Sequence, residues 1–337
     1  MAALEIAIEL GTSNTAIFLD GTGLVLFEPS VAAVTKTQRR DKTKHFGMNA
    51  IQNYSENPDK TLIISPIDNG LLLDSDMCSS MLKEFLKRLI SKKAIFNPKF
   101  NAILNVPLGL NDKERAMFES VCYRAGVSDV VLIESILSSA VGMDLPISSE
   151  GSFCVVNMGG GKVDIAVISE CRIVEGCSLN LGGNLLDIAI TEYVEYTHGV
   201  AINRPMSLIA KHNIASLYPN DTMETQVSGF DLKNNKPTEV VLKSMDIYNV
   251  ILPYFEKIVD GIKSVLNNCP AGLVSDIQNN GIYICGGNSV IPGLDLLFKS
   301  MLNANVWLVE NPMYTAISGA GKLLYYDELY GMIVKRI

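Results

Sequence analysis

Three consecutive glycines, Gly159, Gly160 and Gly161, separate two strand-like segments in the stretch CVVNMGGGKVDIAVIS. An apolar run ends before them and alternating apolar residues resume after them, a pattern that predicts strand, tight turn, strand. Glycine in such a turn costs conformational entropy and contributes no packing. Its use is explained if the backbone N–H groups of the turn approach an anion, most often a phosphate. The alternative is a loose β-turn.

A second copy of this arrangement lies near the start of the chain. Residues 6–19, IAIELGTSNTAIFL, also join two strand patterns through a turn of small residues. Overlaid without a gap, the two stretches place Glu9 on Asn157 and Gly11 on Gly159. The repeat predicts a duplicated fold whose halves face one another with a ligand between them. The turn residues of this first copy are Gly11, Thr12, Ser13 and Asn14.

A third glycine turn stands in the stretch IYICGGNSVIPGL, at residues 282–294. Gly286, Gly287 and Asn288 follow a strand pattern and precede apolar residues at helical spacing. A turn from strand to helix is a usual place for a nucleotide to meet backbone N–H groups. The three turns together therefore favour a nucleotide as the ligand.

The composition is that of a globular chain long enough for two hydrophobic cores. Its 337 residues are 48% hydrophobic and 19% charged, and the net charge is −8. Without a block of basic residues, nucleic acid is not expected as a partner. No apolar run reaches the roughly 18 residues of a membrane-spanning helix, so we expect a cytoplasmic location. Seven cysteines without a CxxC motif indicate reduced core thiols rather than disulfides or a zinc site.

Strand and helix patterns alternate along the whole chain, which predicts an α/β architecture with helices covering the sheets. The polar segment 36–59 is either a flexible insertion or a small subdomain, and the turn-rich segment 218–238 predicts a surface hairpin. Asn184 is the predicted N-cap of a helix at residues 185–196. Apolar residues at helical spacing predict four helices, at 77–90, 112–125, 185–196 and 248–266.

The order of the motifs resembles the actin superfamily of ATPases, and specifically the MreB-like bacterial actins. The motifs are the two glycine hairpins and the segments EPSVAAV, PIDNG, VPLG, NLGGNLLDIAI and GIYICGGNSVIPGLD. The resemblance covers essentially the whole chain. It implies an actin-like duplicated ribonuclease-H-type fold, with two domains of two subdomains each closing on Mg²⁺ and ATP in a cleft.

The resemblance also implies domain boundaries. Domain I would comprise residues 1–145, with 33–65 as its small subdomain, and would be completed by the C-terminal segment 312–337. Domain II would comprise residues 146–311, with about 182–245 as its small subdomain.

A cytoskeletal function follows from the resemblance alone. It implies self-association into double protofilaments at the inner face of the plasma membrane, where such filaments guide cell-wall synthesis and determine cell shape. The implied location is cytoplasmic and peripheral at that membrane. The implied partners are other MreB-like proteins and proteins of cell-envelope synthesis.

Nucleotide-binding residues carry over from the family position by position. The first hairpin and the second hairpin, the latter with Lys162, would grip the β- and γ-phosphates from opposite sides. Gly286, Gly287 and Asn288 would face the adenosine and the α-phosphate. Lys211 matches a family lysine near the nucleotide, although the glutamate that accompanies it in the family is replaced by Leu208.

The chain departs from the family at its catalytic positions. Family members carry aspartates that hold hydrated Mg²⁺ where this chain has Glu9 and Asn157, which makes a metal site at Glu9 doubtful. The family glutamate that activates the attacking water is replaced by Ser135, which cannot act as a base without a base of its own. Glu134 could substitute only through a register shift, because its side chain is expected to point elsewhere.

These departures lead to the hypothesis of an MreB-like filament protein that binds ATP with weak or absent hydrolysis. Two alternatives stay open. One is a slow but active ATPase with compensating catalytic residues, and the other is a nucleotide-independent structural partner of another MreB-like filament protein. A sugar kinase and a chaperone ATPase fit less well, since the carboxylate base of the first and the extra domain of the second have no counterpart here.

The segment SKKAIFNPK, residues 91–99, combines two apolar side chains with flanking lysines. Ile95 and Phe96 between cations suit insertion into an anionic membrane surface, to which each lysine contributes about 1 kcal/mol. The family resemblance implies an apolar membrane loop at this place. The alternative is that both side chains fold back onto the core.

Overall fold

The structure is a computed structural model that describes residues 3–35, 44–90 and 98–334. Strands and helices alternate through these ranges, so the predicted α/β class is confirmed. The predicted membrane residues Ile95 and Phe96 lie outside the described residues.

The first half of the chain builds a five-stranded sheet, counted over the described ranges, in the order β10-β9-β1-β2-β3. Ile6, Ala7 and Ile8 at its centre are fully buried because helices cover the sheet on both faces. The elements of this half are β1 (Leu4–Leu10), β2 (Asn14–Leu19), β3 (Gly23–Pro29), β4 (Ala32–Thr35), β5 (Lys44–Phe46), α1 (Met48–Glu56), β6 (Thr61–Ile64), β7 (Ile67–Asp68), β8 (Leu71–Leu72), α2 (Ser75–Leu89), β9 (Phe100–Val106), α3 (Asp112–Ala125), β10 (Val127–Glu134) and α4 (Ser135–Gly142).

The second half repeats this sheet in the order β18-β17-β11-β12-β13, again counted over the described ranges. Equivalent strands take equivalent places, so the duplication predicted from the two hairpins is confirmed. The elements are β11 (Ser152–Met158), β12 (Val163–Ser169), β13 (Arg172–Leu179), α5 (Gly183–His198), β14 (Val200–Ala201), α6 (Arg204–Ile214), β15 (Glu224–Asp231), β16 (Pro237–Lys243), α7 (Ser244–Asn268), α8 (Ala271–Asn280), β17 (Ile282–Cys285), a 3₁₀ turn (Gly287–Val290), α9 (Leu294–Leu302), β18 (Val306–Leu308), a second 3₁₀ turn (Pro312–Tyr314), α10 (Thr315–Leu323) and α11 (Asp327–Val334).

Each half carries a smaller sheet beside the large one. In the first half β4 pairs with β5 and β6, and α1 packs on this sheet. Residues 44–59 therefore belong to a folded unit rather than a flexible insertion. In the second half β15 pairs with β14 and β16 and packs against α6. The exact domain and subdomain boundaries stay a prediction.

Hydrophobic side chains form one core in each half and a third core between the halves. The third core joins both large sheets through α4 and α10, which pack closely on each other. Gly142 and Gly319 permit this packing, because a Cβ at either position would overlap the backbone of the other helix, at Thr315 and Ser138. Helix α10 thus packs on β1, β2 and β9 of the first-half sheet, while α4 packs on β11 and β12 of the second-half sheet.

Two details of the predicted elements were wrong. Asn184 is not a helix cap: α5 begins at Gly183 with Gly182 at the N-cap, and the backbone N–H of Asn184 donates to the carbonyl of Gly160. The fourth predicted helix is longer than its pattern, extending over α7 with Pro253 inside it. Seven of its buried side chains form an apolar face, which outweighs the hydrogen bond that the proline removes: Ile247, Ile251, Phe255, Ile258, Val259, Ile262 and Val265.

The surface hairpin predicted in the turn-rich segment 218–238 is formed by β15 and β16. It covers residues 224–243, so it begins and ends later than the predicted segment. None of the helices in the described ranges combines the length and the apolar character that crossing a membrane requires.

Candidate functional site

The two glycine hairpins close with the same backbone hydrogen bond. In the first hairpin, residues 11–14, the N–H of Gly11 donates to the carbonyl of Asn14 at 3.0 Å. In the second hairpin, residues 159–162, the N–H of Gly159 donates to the carbonyl of Lys162 at 2.9 Å. The gapless overlay of the two stretches therefore corresponds to equivalent backbone positions.

The hairpins face each other across the two halves. A Cβ on Gly160 would overlap the Ser13 side chain, and a Cβ on Gly161 would lie 2.5 Å from Thr12 Oγ1 and 2.8 Å from Asn69 Cα. The Thr12 hydroxyl in turn accepts the N–H of Gly70 at 2.9 Å. Glycine is required in the second hairpin because loops of the first half occupy the space of a side chain.

The second hairpin is anchored through its carbonyl oxygens. Gly159 O accepts from the N–H of Gly183 at 3.1 Å and from Asn288 Nδ2 at 2.6 Å, and Gly160 O accepts from the N–H of Asn184 at 2.8 Å. In a trans peptide the N–H points opposite to the C=O, so the N–H groups of Gly160 and Gly161 point away from α5. Two adjacent backbone donors therefore point to the side of the hairpin opposite α5, and adjacent backbone donors of this kind are what an anion site requires.

The third glycine turn lies next to the second hairpin. Gly286 has a left-handed backbone with φ of 87°, and a Cβ there would lie 2.5 Å from the carbonyl of Met158. Its N–H donates to Pro312 O at 3.0 Å. With Asn288 bonded to Gly159, the three turns predicted to bind nucleotide meet at one place.

Polar side chains of the two large sheets lie close together, since burial and then the charges of Glu9 and Asp164 all raise the pKa of the Cys285 thiol. In β1 Glu9 lies between Ala16 of β2 and Asn105 of β9, and in β11 Asn157 lies between Asp164 of β12 and Cys285 of β17. Desolvation raises the pKa of the partly exposed Glu9 carboxyl to about 7. Burial also raises the pKa of Asp164, while hydrogen bonds from Ser178 Oγ at 2.5 Å and the N–H of Leu108 at 3.3 Å oppose that rise.

Sequence reasoning missed Asn105 and Asp164. Both are buried, and the Asn105 Oδ1 accepts from Ser138 Oγ at 2.7 Å while its Nδ2 is buried without a partner among the described residues. Their signal in the sequence is a polar residue inside an otherwise apolar strand pattern. Such a residue marks a special environment because an unpaired buried polar group is costly.

The two catalytic candidates occupy the junction of β10 and α4. Ser135 is the first residue of α4, only 9% exposed, and its carbonyl accepts the Ser139 hydroxyl at 2.8 Å. Glu134 forms an ion pair with Arg115, with 2.7 Å between Oε1 and NH1. This pair directs the Glu134 carboxylate toward α3, so its role as a substitute base stays a prediction with an observed contact against it.

Lys211 is a buried member of α6. Its Nζ lies 2.6 Å from Asp187 Oδ1, outside the hydrogen-bonding directions of that oxygen, and donates to Gly183 O at 2.9 Å. Lys211 is 8% and Asp187 2% exposed, whereas Leu208 is half-exposed. Lys211 therefore supports the start of α5, which holds the second hairpin. Sequence reasoning did not identify Asp187 as its partner.

Comparisons with known proteins agree with this geometry. The profile of the MreB/Mbl protein family matches residues 3–330. The chain is 32% identical to the cell shape-determining protein MreB of Escherichia coli K12 over 335 residues, covering 98% of this chain and 96% of that protein. It is 30% identical to the cell shape-determining protein Mbl of Bacillus subtilis 168, covering 96% of each.

Solved structures share the fold. MreB5 of Spiroplasma citri bound to AMPPNP superposes with a TM-score of 0.88 at 25% identity, covering 100% of both chains. The MamK double helical filament gives a TM-score of 0.79 at 19% identity, covering 96% of this chain and 99% of that one, and supports the fold alone. The actin-like fold is thus confirmed, and with the profile match over nearly its whole length this chain belongs to the MreB/Mbl family.

Proposed function

We propose that the chain is an actin-like cytoskeletal protein that assembles into filaments and binds ATP between its two glycine hairpins with weak or absent hydrolysis. Nucleotide binding is supported by the two N–H groups of Gly160 and Gly161, which point away from α5 in a hairpin that lies against the first one. It is also supported by the relatives, because the MreB5 structures of Spiroplasma citri contain AMPPNP or ADP. Filament formation is inferred from membership of the MreB/Mbl family, whose relatives MreB and Mbl are named cell shape-determining proteins. MamK, whose structure is a double helical filament, shares the fold.

Weak hydrolysis is inferred from one observation above all. Ser135 stands at the start of α4, where a general base would be needed, and the neighbouring carboxylate of Glu134 is held by Arg115. Loss of a positioned base typically lowers a rate by about 10²–10⁴. A hydrolysis cycle of that speed would not drive rapid filament turnover.

Mg²⁺ is the cofactor that the family resemblance implies, and the residues of the cleft fit it poorly. Mg²⁺ prefers ionised oxygen ligands in near-octahedral geometry. Glu9 carries its carboxylate one methylene farther from the backbone than the family aspartate does, Asn157 is neutral, and Asp164 already accepts two hydrogen bonds.

A slow ATPase is the second candidate, and Asp164 is the observation that favours it. Its carboxylate is buried beside the loop after β9, and burial raises its pKa above the ordinary value, as is common for carboxyl groups at functional sites. The third candidate, a nucleotide-independent partner of another MreB-like protein, shares the fold and needs no catalytic group.

The deciding experiment measures phosphate release from Mg-ATP by the purified chain, with filament formation followed by light scattering. The same assay is run on the Ser135→Glu, Asn157→Asp double variant. A silent wild type and an active variant support the proposal. Turnover by the wild type at rates typical of filament ATPases contradicts it, and an Asp164→Asn variant then tests whether Asp164 is the compensating base.

Membrane association is proposed from sequence alone, because the apolar pair lies outside the described residues. We infer a cytoplasmic protein, peripheral at the inner face of the plasma membrane, with other MreB-like proteins and envelope-synthesis proteins as partners. Replacing Ile95 and Phe96 by serine should reduce co-sedimentation with anionic liposomes. Unchanged co-sedimentation of this variant would contradict membrane binding through the segment.

A further inference from the structure

A triphosphate bound between the hairpins needs a cation to neutralise its charge. A triphosphate brings several negative charges into the cleft, and burying them requires a compensating positive charge. The acidic groups of the cleft are unsuited to Mg²⁺, as described above. The second hairpin, however, ends in a lysine.

Lys162 occupies the position in the second hairpin that Asn14 occupies in the first. Its carbonyl closes the hairpin, and its side chain reaches across to the first half of the molecule. A Cβ built on Gly70 would lie 3.1 Å from Lys162 Cδ and 3.4 Å from its Cε, and 2.9 Å from Pro107 Cγ. The lysine stem therefore lies between the two halves, against the loop that approaches the second hairpin.

The ammonium of Lys162 is available for a ligand. The residue is partly exposed, and among the residues that the structure describes no carboxylate lies within ion-pair distance of its Nζ. Its charge does reach Asp164, whose pKa it lowers in opposition to burial. A partly buried cation without a paired carboxylate, directly after two N–H donors, is suited to phosphate.

We propose that Lys162 supplies the positive charge at the phosphates, so that this chain binds nucleoside triphosphate without a divalent cation. The inference rests on the proposed binding of nucleotide between the hairpins. Two features lead to the same result: Asn157 contributes no negative charge, and Lys162, whose stem lies against Gly70 and Pro107 of the first half, adds one positive charge. Each favours an uncomplexed phosphate anion over a metal complex.

The test measures ATP binding to the full-length chain by isothermal titration calorimetry, once with excess Mg²⁺ and once with excess EDTA. The wild type should bind ATP with dissociation constants that agree within about threefold in the two buffers. Lys162→Met keeps the stem and removes the charge, and it should weaken binding in EDTA by about 10- to 100-fold, the effect of one charge-assisted contact. Mg²⁺ should recover part of that loss.

Lys263→Met, at an exposed position of α7, is the matched control and should bind as the wild type does in both buffers. Loss of wild-type binding in EDTA would overturn the inference and leave nucleotide binding intact. Equal binding by wild type and Lys162→Met in EDTA would also overturn it. Absence of binding in both buffers would instead contradict the proposed function itself.

Discussion

The first and second hairpins have equivalent backbones but different support. The first presents the hydroxyl side chains of Thr12 and Ser13, and its Ser13 carbonyl accepts the N–H of Ser30 at 2.9 Å. The second presents bare glycine backbone, anchored through its carbonyls to α5 and Asn288. The two copies have thus kept the same main-chain geometry, whereas the side chains that surround each hairpin, and with them its chemical properties, differ. Catalytic groups can therefore change without a change of fold.

One ion pair in each half shows a second difference, which is the degree of burial. In the second half Asp187 of α5 and Lys211 of α6 are almost completely buried between these two helices. In the first half Arg88 pairs with Glu28 at 2.7 Å with side chains 32% and 18% exposed, and Glu28 also accepts the N–H of Met48. Burial makes the first of these pairs far more sensitive to the loss of one partner.

Lys211→Met should have the largest effect on stability. It leaves the buried Asp187 carboxylate with only Arg204, whose Nε lies 3.9 Å from Asp187 Oδ2. Loss of one partner of a buried ion pair typically costs about 3–5 kcal/mol in the free energy of unfolding. Urea unfolding monitored by circular dichroism measures this loss. Adding Asp187→Asn to the variant should recover part of it, and failure to recover any would contradict the assignment of the loss to an unpaired charge.

The stability of the chain should depend on pH through Glu9 at the end of β1. Asn157, at the equivalent place in β11, does not titrate and contributes no such dependence. The pKa of Glu9 rises from 4.5 to about 7 on folding, so the folded chain retains a proton that the unfolded chain releases between these values. The free energy of unfolding therefore falls as pH rises through this window, by on the order of 3 kcal/mol for Glu9.

Urea unfolding of nucleotide-free protein between pH 5 and pH 8 checks the Glu9 contribution. Glu9→Gln should flatten the curve, and the slope that remains belongs in part to Asp164, whose pKa is also raised. An unchanged slope in Glu9→Gln would show that this carboxyl does not titrate in the window.

Glycine substitutions in the second hairpin should separate close approach from mere turn formation. Gly161→Ala introduces a Cβ 2.5 Å from Thr12 Oγ1 and should weaken ATP binding by about 10- to 100-fold, because overpacking forces the hairpins apart. Gly159→Ala meets only Lys162 O at 3.2 Å and should change binding by less than about threefold. Equal losses in the two variants would contradict close approach of the hairpins as the reason for glycine at position 161.

Arg88→Met should have the smallest effect, about 1 kcal/mol in the free energy of unfolding, since the pair with Glu28 is partly solvated. The measurement is the same urea unfolding used for Lys211→Met. A loss as large as that of Lys211→Met would remove the contrast between the two halves.

The fold was largely predictable because hairpins and strands are local features. The gapless overlay of residues 6–19 on the second hairpin predicted the duplication, since equivalent strands keep the same apolar alternation. The glycine turns were predictable for the same reason. The turns are brought together by contacts of Asn184 and Asn288 with the second hairpin. These contacts join segments that are separated in sequence, so local patterns do not predict them.

The errors and omissions have the same physical cause. Asn184 was expected to cap α5 with its side chain, but the carbonyls of the second hairpin already take the first N–H groups of that helix. Asp164 and Asn105 were missed because an alternating strand pattern does not reveal which polar residue faces a cleft. Lys211 was found, but Asp187 was not, because nothing local connects two residues on different helices.

The contact between α4 and α10 has a mechanical consequence. Gly142 and Gly319 bring the two helix backbones together without side chains between them. Because no side chains separate the two backbones at this contact, it cannot deform by side-chain rearrangement. We therefore expect the helix pair to act as a rigid hinge about which the two halves rotate. The crossing point of the helices then sets where the molecule can bend. Opening of the cleft would become a rotation about a fixed line rather than a general loosening of the core.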